Sequence, residues 1–177
     1  MDRRSAIRCS IAVTAGIFLL PSCLQEKRKS TVSLKNLDIS EEQESLLAEL
    51  SEAIIPKTSS PGAKDISSHL FAIMMVDDCY DPDRQKKFIS GLAQFESITI
   101  AKFGSSFAKC SQLQKAELLK AMESKTGISE DALSFYNSMK KLTIQSFTTS
   151  QYFLTKVHVY ELVPARFHGC VSITKSN

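Results

Sequence analysis

The residues with the widest chemical repertoire are few: five cysteines, three histidines and scattered carboxylates in 177 residues. Their spacing builds no familiar reactive constellation. There is no Cys-x-x-Cys, no Cys-x-x-Cys-His and no His-x-x-x-His, so neither a zinc site nor a covalently held haem is written into the sequence. His168, two residues before Cys170, is half of a metal site at most. No G-x-G-x-x-G follows a strand pattern, no Walker loop occurs, and six glycines leave little from which to build a phosphate cradle. Asp77 and Asp78 are adjacent carboxylates, but neighbours on a helix point about 100° apart and do not face one reacting atom. Ser150 and Ser172 as nucleophiles lack an identifiable base and orienting group. The sequence therefore nominates no catalytic, cofactor-binding or metal-ligating residue, and no cofactor of its own.

One cysteine does carry a chemical expectation. Residues 1–22 read as an export signal, with Arg3, Arg4 and Arg8 in its basic region and a mostly apolar run from Cys9 to Leu20. That run is shorter than the roughly 20 residues a membrane span needs. Leu20-Pro21-Ser22-Cys23 has the form of a bacterial lipobox, which makes Cys23 the lipid-accepting first residue after cleavage. A plain membrane anchor, or a signal in which Cys23 is incidental, is the simpler alternative. Arg3-Arg4 followed by Ile7 and Arg8 is similar to a twin-arginine signal, with Ala6 where such signals usually carry Phe. The general secretory route is the other option. Residues 23–38 are polar and basic and read as a lipidated tether, and residues 39–177 as one domain. The expected location is outside the cytoplasm, as a periplasm-facing or outer-surface lipoprotein attached to a membrane.

Losing residues 1–22 takes the basic residues from 22 to 19 and the acidic ones from 19 to 18. A nearly neutral domain offers no electrostatic footprint for nucleic acid. Cys79, Cys110 and Cys170 then remain, an odd number for an oxidising compartment. One disulfide with a free thiol, a bridge to a partner and three buried thiols all fit that count.

The elements that must position these residues are helices. Ser40 with Gln43 forms a capping-box pattern ahead of Leu46, Leu47, Leu50, Ala53 and Ile54, predicting a helix over 41–55. A second is expected over 65–78, with Ile66, Leu70, Ile73 and Met74 inward and Phe71 and Met75 widening the stripe. Asp81-Pro82 restarts the chain, and Phe88, Ile89, Leu92, Phe95 and Ile98 carry a third helix to Phe103, with Gly104 closing it. Gly91 inside it costs about 1 kcal/mol of helix propensity relative to Ala, which close packing or mere tolerance would explain. Ser111 with Gln114 opens a fourth helix through Leu118 and Met122. Ser129 caps a fifth through Leu133, Tyr136, Met139, Leu142 and Phe147. A short helix is expected to start near Ser150, then an extended stretch at 157–160 and an irregular tail. The fold class is all-α: a compact bundle of about five helices.

Between the first two helices, Pro56-Lys57-Thr58-Ser59-Ser60-Pro61-Gly62 makes a stiff polar loop. Pro56 stops the helix, and Pro61-Gly62 is turn chemistry. Composition alone makes this a helix–helix connector. His69, just beyond it, is either a contact for another molecule or a half-buried satisfied histidine.

This loop also carries a resemblance. Ile54-Ile55-Pro56-Lys57-Thr58 with Pro61-Gly62-Ala63-Lys64-Asp65, then Asp78-Cys79-Tyr80, Phe88-Ile89-Ser90-Gly91-Leu92, Tyr160-Glu161-Leu162-Val163-Pro164 and Gly169-Cys170, is similar in order and spacing to the gluconate 2-dehydrogenase subunit 3 family. The resemblance covers roughly residues 40–171, with Ala165 departing from an expected Gly. It implies a non-catalytic small subunit of a flavin-dependent sugar, sugar-acid or glycoside dehydrogenase. The implied partners are a large glucose-methanol-choline (GMC)-type flavoprotein subunit carrying FAD, a cytochrome c as electron acceptor, and the membrane through Cys23. The lipobox resembles most the small subunits of glucoside 3-dehydrogenase complexes. The implied role is to bind the large subunit, support its folding and escort it through the twin-arginine pore. The expected interface comprises Pro56, Thr58, Pro61, Gly62 and His69, with Tyr160 and Pro164 from the tail. A Cys79–Cys170 disulfide, stapling the tail to the bundle, is suggested because both cysteines lie in family-like segments. The rivals are a standalone lipid-anchored binding or scaffolding protein and a small enzyme of unfamiliar design.

Overall fold

The computed structural model describes residues 30–125 and 127–158. Five α-helices follow in order: α1 (Glu41–Ile54), α2 (Ser68–Cys79), α3 (Pro82–Phe103), α4 (Gln112–Ser124) and α5 (Glu130–Thr148). A 3-10 turn (Phe107–Lys109) precedes α4, and a π-helical turn (Phe153–Val157) follows α5. No strand occurs among the described residues.

Local chemistry sets most of the ends. Ser40 Oγ accepts from the Gln43 amide while the Gln43 side chain accepts from the Ser40 amide, so α1 opens with two of its orphan donors satisfied. Ser111 and Gln114 repeat the device at α4. Asp81 Oδ1 accepts from the Arg84 amide at 2.9 Å, with Pro82 at the first helical position of α3. Gly104 ends α3 in the left-handed region at φ 70°, where a side chain would be strained.

The largest helix–helix contact is α3 with α5, then α2 with α5. Phe88 and Phe95 of α3 meet Phe135 of α5 at ring distances of 5.0 and 5.6 Å, in the tilted geometries aromatic pairs prefer. Leu46, Leu47 and Leu50 of α1, Ile73 and Val76 of α2, and Leu118 and Met122 of α4 complete the core. Phe107, on the 3-10 turn, is fully buried against Phe95 at 5.2 Å. Gly91 has a packing reason: an added Cβ would overlap the Asp131 carbonyl oxygen and lie 2.6 Å from Phe135 Cβ. The side chains around it lock the same contact. Ser90 Oγ donates to Asp131 at 3.0 Å, Gln94 Nε2 donates to it at 3.1 Å, and Ser129 Oγ donates to Gln94.

The second helix differs from expectation in start and face. It begins at Ser68, because residues 63–67 form a turn and Ser67 is left-handed at φ 54°. Its buried positions are Ser68, Ala72, Ile73, Val76 and Asp77, while Met74, expected inward, is 42% exposed. A helix apolar on nearly every side gives periodicity no face to choose. Tertiary partners choose it instead, and Asp77 is one of them. Its carboxylate accepts from the amides of Lys35 at 2.9 Å and of Asn36 and Leu37 at 2.8 Å, and Asn36 Nδ2 donates to its carbonyl at 2.8 Å. Burial pushes the Asp77 carboxyl up, but those three amides outweigh it and the group ends below its ordinary value. Asp77 is thus a structural anchor. Residues 30–38, read from sequence as part of the tether, lie on the bundle here, with Leu34 and Leu37 packed against the core.

After α5 the chain turns at residues 149–150 and is helical again over 151–157, so Val157, expected as extended, sits in the π turn. Phe147 packs on Tyr152 and Phe153 at 6.4 and 6.1 Å. The expected signal at 1–22 with Arg3 and Arg4, the lipid site Cys23, and the tail residues Tyr160, Pro164 and Cys170 lie outside the described residues.

Candidate functional site

The loop between α1 and α2 is built by two carboxylates. Pro56 ends α1, and Ile55 donates back to the Ser51 carbonyl at 3.0 Å. Glu52, in the last turn of α1, then accepts from the Lys57 amide through Oε1 and from the Lys64 amide through Oε2, both at 2.9 Å. Asp65 accepts from the Gly62 amide at 3.0 Å and pairs with the Lys57 ammonium at 3.1 Å. The Gly62 amide, then Lys57, hold its carboxyl below the usual range. Ala63 donates to the Ile55 carbonyl at 2.9 Å and closes the base of the loop. Apart from the Lys57–Asp65 pair, each of these bonds satisfies a main-chain donor that a loop otherwise leaves to water.

The loop therefore presents a fixed outer surface. Pro56, Lys57, Thr58 and Ser59 are exposed, Ser60 and Pro61 are partly covered, and Gly62 and Ala63 are buried. Of the residues expected at an interface, Pro56 and Thr58 point outward, Pro61 lies at the edge and Gly62 faces inward against Glu52. His69 is half-buried at the start of α2, and its Nδ1 has no hydrogen-bond partner among the described residues. Burial pushes its imidazole below the ordinary value, with Glu44 opposing and Lys64 reinforcing the shift, so it is neutral at pH 7. Beyond it on the same helix are the half-buried Leu70 and Phe71 and the exposed Met74.

A charge cluster ties this loop to α4. Glu49 receives the Lys64 ammonium at 2.6 Å and the Lys115 ammonium at 2.7 Å. The Lys115 side chain is only 5% exposed and lies 5.6 Å from the Phe107 ring centre. Hydrogen bonds from Lys115, then Lys64, draw the Glu49 carboxyl below its ordinary value. Sequence reading missed Glu49, Glu52 and Lys115. Polar residues on an amphipathic helix read as a solvated face, and no local pattern marks which of them turn inward.

An open cleft beside α1 is lined by Ala53, Ile54, Leu119, Lys120, Glu123 and Tyr136. There the Tyr136 hydroxyl donates to Glu123 at 2.7 Å. Burial, then the Glu123 carboxylate, raise the phenol well above its ordinary value, so it stays a hydrogen-bond donor. Among the described residues no group of three His, Cys, Asp or Glu side chains could hold a metal ion, and no helix is long and apolar enough to cross a membrane. Cys79 is exposed and Cys110 buried, and the two do not bond to each other.

Fold and loop together define an all-α bundle whose carboxylates shape a surface loop. A family model described as gluconate 2-dehydrogenase subunit 3 matches residues 41–165, and the chain belongs to that family. It is therefore an accessory subunit of a dehydrogenase complex. No curated protein and no solved structure matches the chain.

Proposed function

We propose that this chain is the small subunit of a membrane-associated, FAD-dependent dehydrogenase whose large GMC-type flavoprotein subunit oxidises a sugar, sugar acid or glycoside. The chain binds that subunit, aids its folding and export, and attaches it to a membrane through a lipid on Cys23. Electrons pass from the flavin to a cytochrome c, and FAD belongs to the partner. The observation that carries this reading is the family match, which runs through the loop and α2 and on to residue 165. A partner carried folded through a translocation pore needs a stable interface, which favours a large and partly apolar one. The fixed outer surface of Pro56 and Thr58, the edge residue Pro61, half-buried His69 and the apolar side chains beyond it suit that demand. Tyr160 and Pro164, outside the described residues, are further contacts in this reading. In this reading an oxidised chain joins Cys79, a free and exposed thiol among the described residues, to Cys170, both lying in family-like segments.

Alanine substitutions at Thr58, Pro61 and His69 test the surface. Made together, they should lower recovery of the flavin-bearing partner severalfold while the helical content of the chain is retained. Unchanged recovery removes the loop from the interface.

A further inference from the structure

We infer that Glu52 is the positioning residue of the partner-facing loop, and that residue 62 is glycine to make room for the Glu52 carboxylate. This rests on the loop meeting the partner, as set out under Proposed function. Glu52 grips both ends of the loop, one oxygen on the Lys57 amide and the other on the Lys64 amide. The side chains between them, Thr58 and Ser59 above all, are the exposed ones.

Gly62 sits against that carboxylate. A Cβ added there would lie 2.5 Å from both Glu52 oxygens and 2.8 Å from its Cδ. Conformation does not require glycine here, because the left-handed glycines of the described chain are Gly104 and Gly127. Exposure does not require it either, since residue 62 is buried and offers a partner nothing. What remains is space. The obstructing atoms are the end of a flexible side chain, so a methyl group would displace the carboxylate and break its two amide bonds. Freed of them, the loop must be ordered again when the partner binds, and association weakens by that cost.

The test uses the full chain, tagged at Asn177, and reads two quantities. One is exchange of the Lys57 and Lys64 amides in the chain alone. The other is flavin absorbance recovered with the chain from native membranes. Glu52→Ala should speed exchange at Lys57 and Lys64 about tenfold or more, the loss of a hydrogen bond to a charged acceptor. The Gly62 amide, held by Asp65, should change less, and flavin recovery should drop severalfold. Glu52→Gln, which keeps one side-chain oxygen, should fall between. Gly62→Ala should reproduce the Glu52→Ala phenotype, and adding it to Glu52→Ala should change nothing further, the non-additivity of two changes acting through one group. Unaltered exchange in Glu52→Ala, or independent effects of the two substitutions, overturns the inference. Altered exchange with undiminished flavin recovery also overturns the positioning role. A wild-type chain that recovers no flavin counts against the function proposed above, while amide exchange and the double substitution still decide what Glu52 does to the loop.

Discussion

Gly91→Ala is the sharpest test of the packing. In most exposed helix positions, replacing Gly by Ala stabilises by up to about 1 kcal/mol. Here the added methyl would overlap the Asp131 carbonyl oxygen and stand 2.6 Å from Phe135 Cβ. Ordinary contact begins near 3.4 Å, so α3 and α5 would have to separate by about 1 Å, and the obstructing oxygen is main chain that cannot swing aside. Overpacking of this kind costs roughly 1–3 kcal/mol, and a main-chain obstacle argues for the upper part of that range. Subtracting the propensity gain leaves a net loss of about 1–2 kcal/mol, or roughly 3–6 °C in Tm for a chain of this size. The shift would also strain the Ser90 and Gln94 bonds to Asp131. Urea unfolding followed by circular dichroism reads the change, with Ala93→Gly, at an exposed position of the same helix, as the control for propensity alone. A Gly91→Ala chain as stable as wild type, or more stable, would refute the close approach of α3 and α5.

Other perturbations follow from the same interactions. Glu49→Ala leaves Lys115 buried without its carboxylate and should cost about 2–4 kcal/mol in urea unfolding, most of it recovered by adding Lys115→Met; additive losses would show that the pair is not coupled. Asp77→Asn weakens three charge-assisted amide bonds and should cost about 2–3 kcal/mol at pH 7. Because the folded Asp77 carboxyl titrates below its ordinary 3.8, its contribution is full above about pH 4 and is lost as pH falls through the folded value. The gap between wild type and Asp77→Asn should therefore narrow as pH is lowered from 4 towards 2, and a gap of constant size contradicts the anchor. Cys23→Ser should move the chain from the membrane to the soluble fraction, and unchanged fractionation argues against lipidation there.

How much of this was legible depends on how local the cause is. Ser40 with Gln43, Ser111 with Gln114, Asp81-Pro82 and Gly104 mark their helix ends within a few residues, and α3 and both capping boxes stand where the sequence puts them. The loop was legible from its prolines Pro56 and Pro61, although Gly62 does not take the positive φ expected of turn chemistry, and the family was legible too, its model spanning 41–165. The buried face of α2 was not, because its apolar side chains surround the helix and Asp77 selects the face through amides about 40 residues earlier. Lys115 gives no sign in sequence of being buried, since its partner Glu49 lies 66 residues away. Glu52 looks like any solvated helix residue until the loop folds back onto it. Phe107 enters the core from a three-residue turn, too short to show a period.

The central claim is that this chain works as the bound partner of a flavoprotein. The most direct measurement is a pull-down from native membranes with a tag at Asn177, followed by a visible absorption spectrum and dye reduction with a panel of sugars. The account predicts a co-purifying large chain, flavin bands and sugar-dependent dye reduction by the recovered complex. A single colourless chain, recovered intact under gentle detergent, would contradict it and leave a standalone helical lipoprotein.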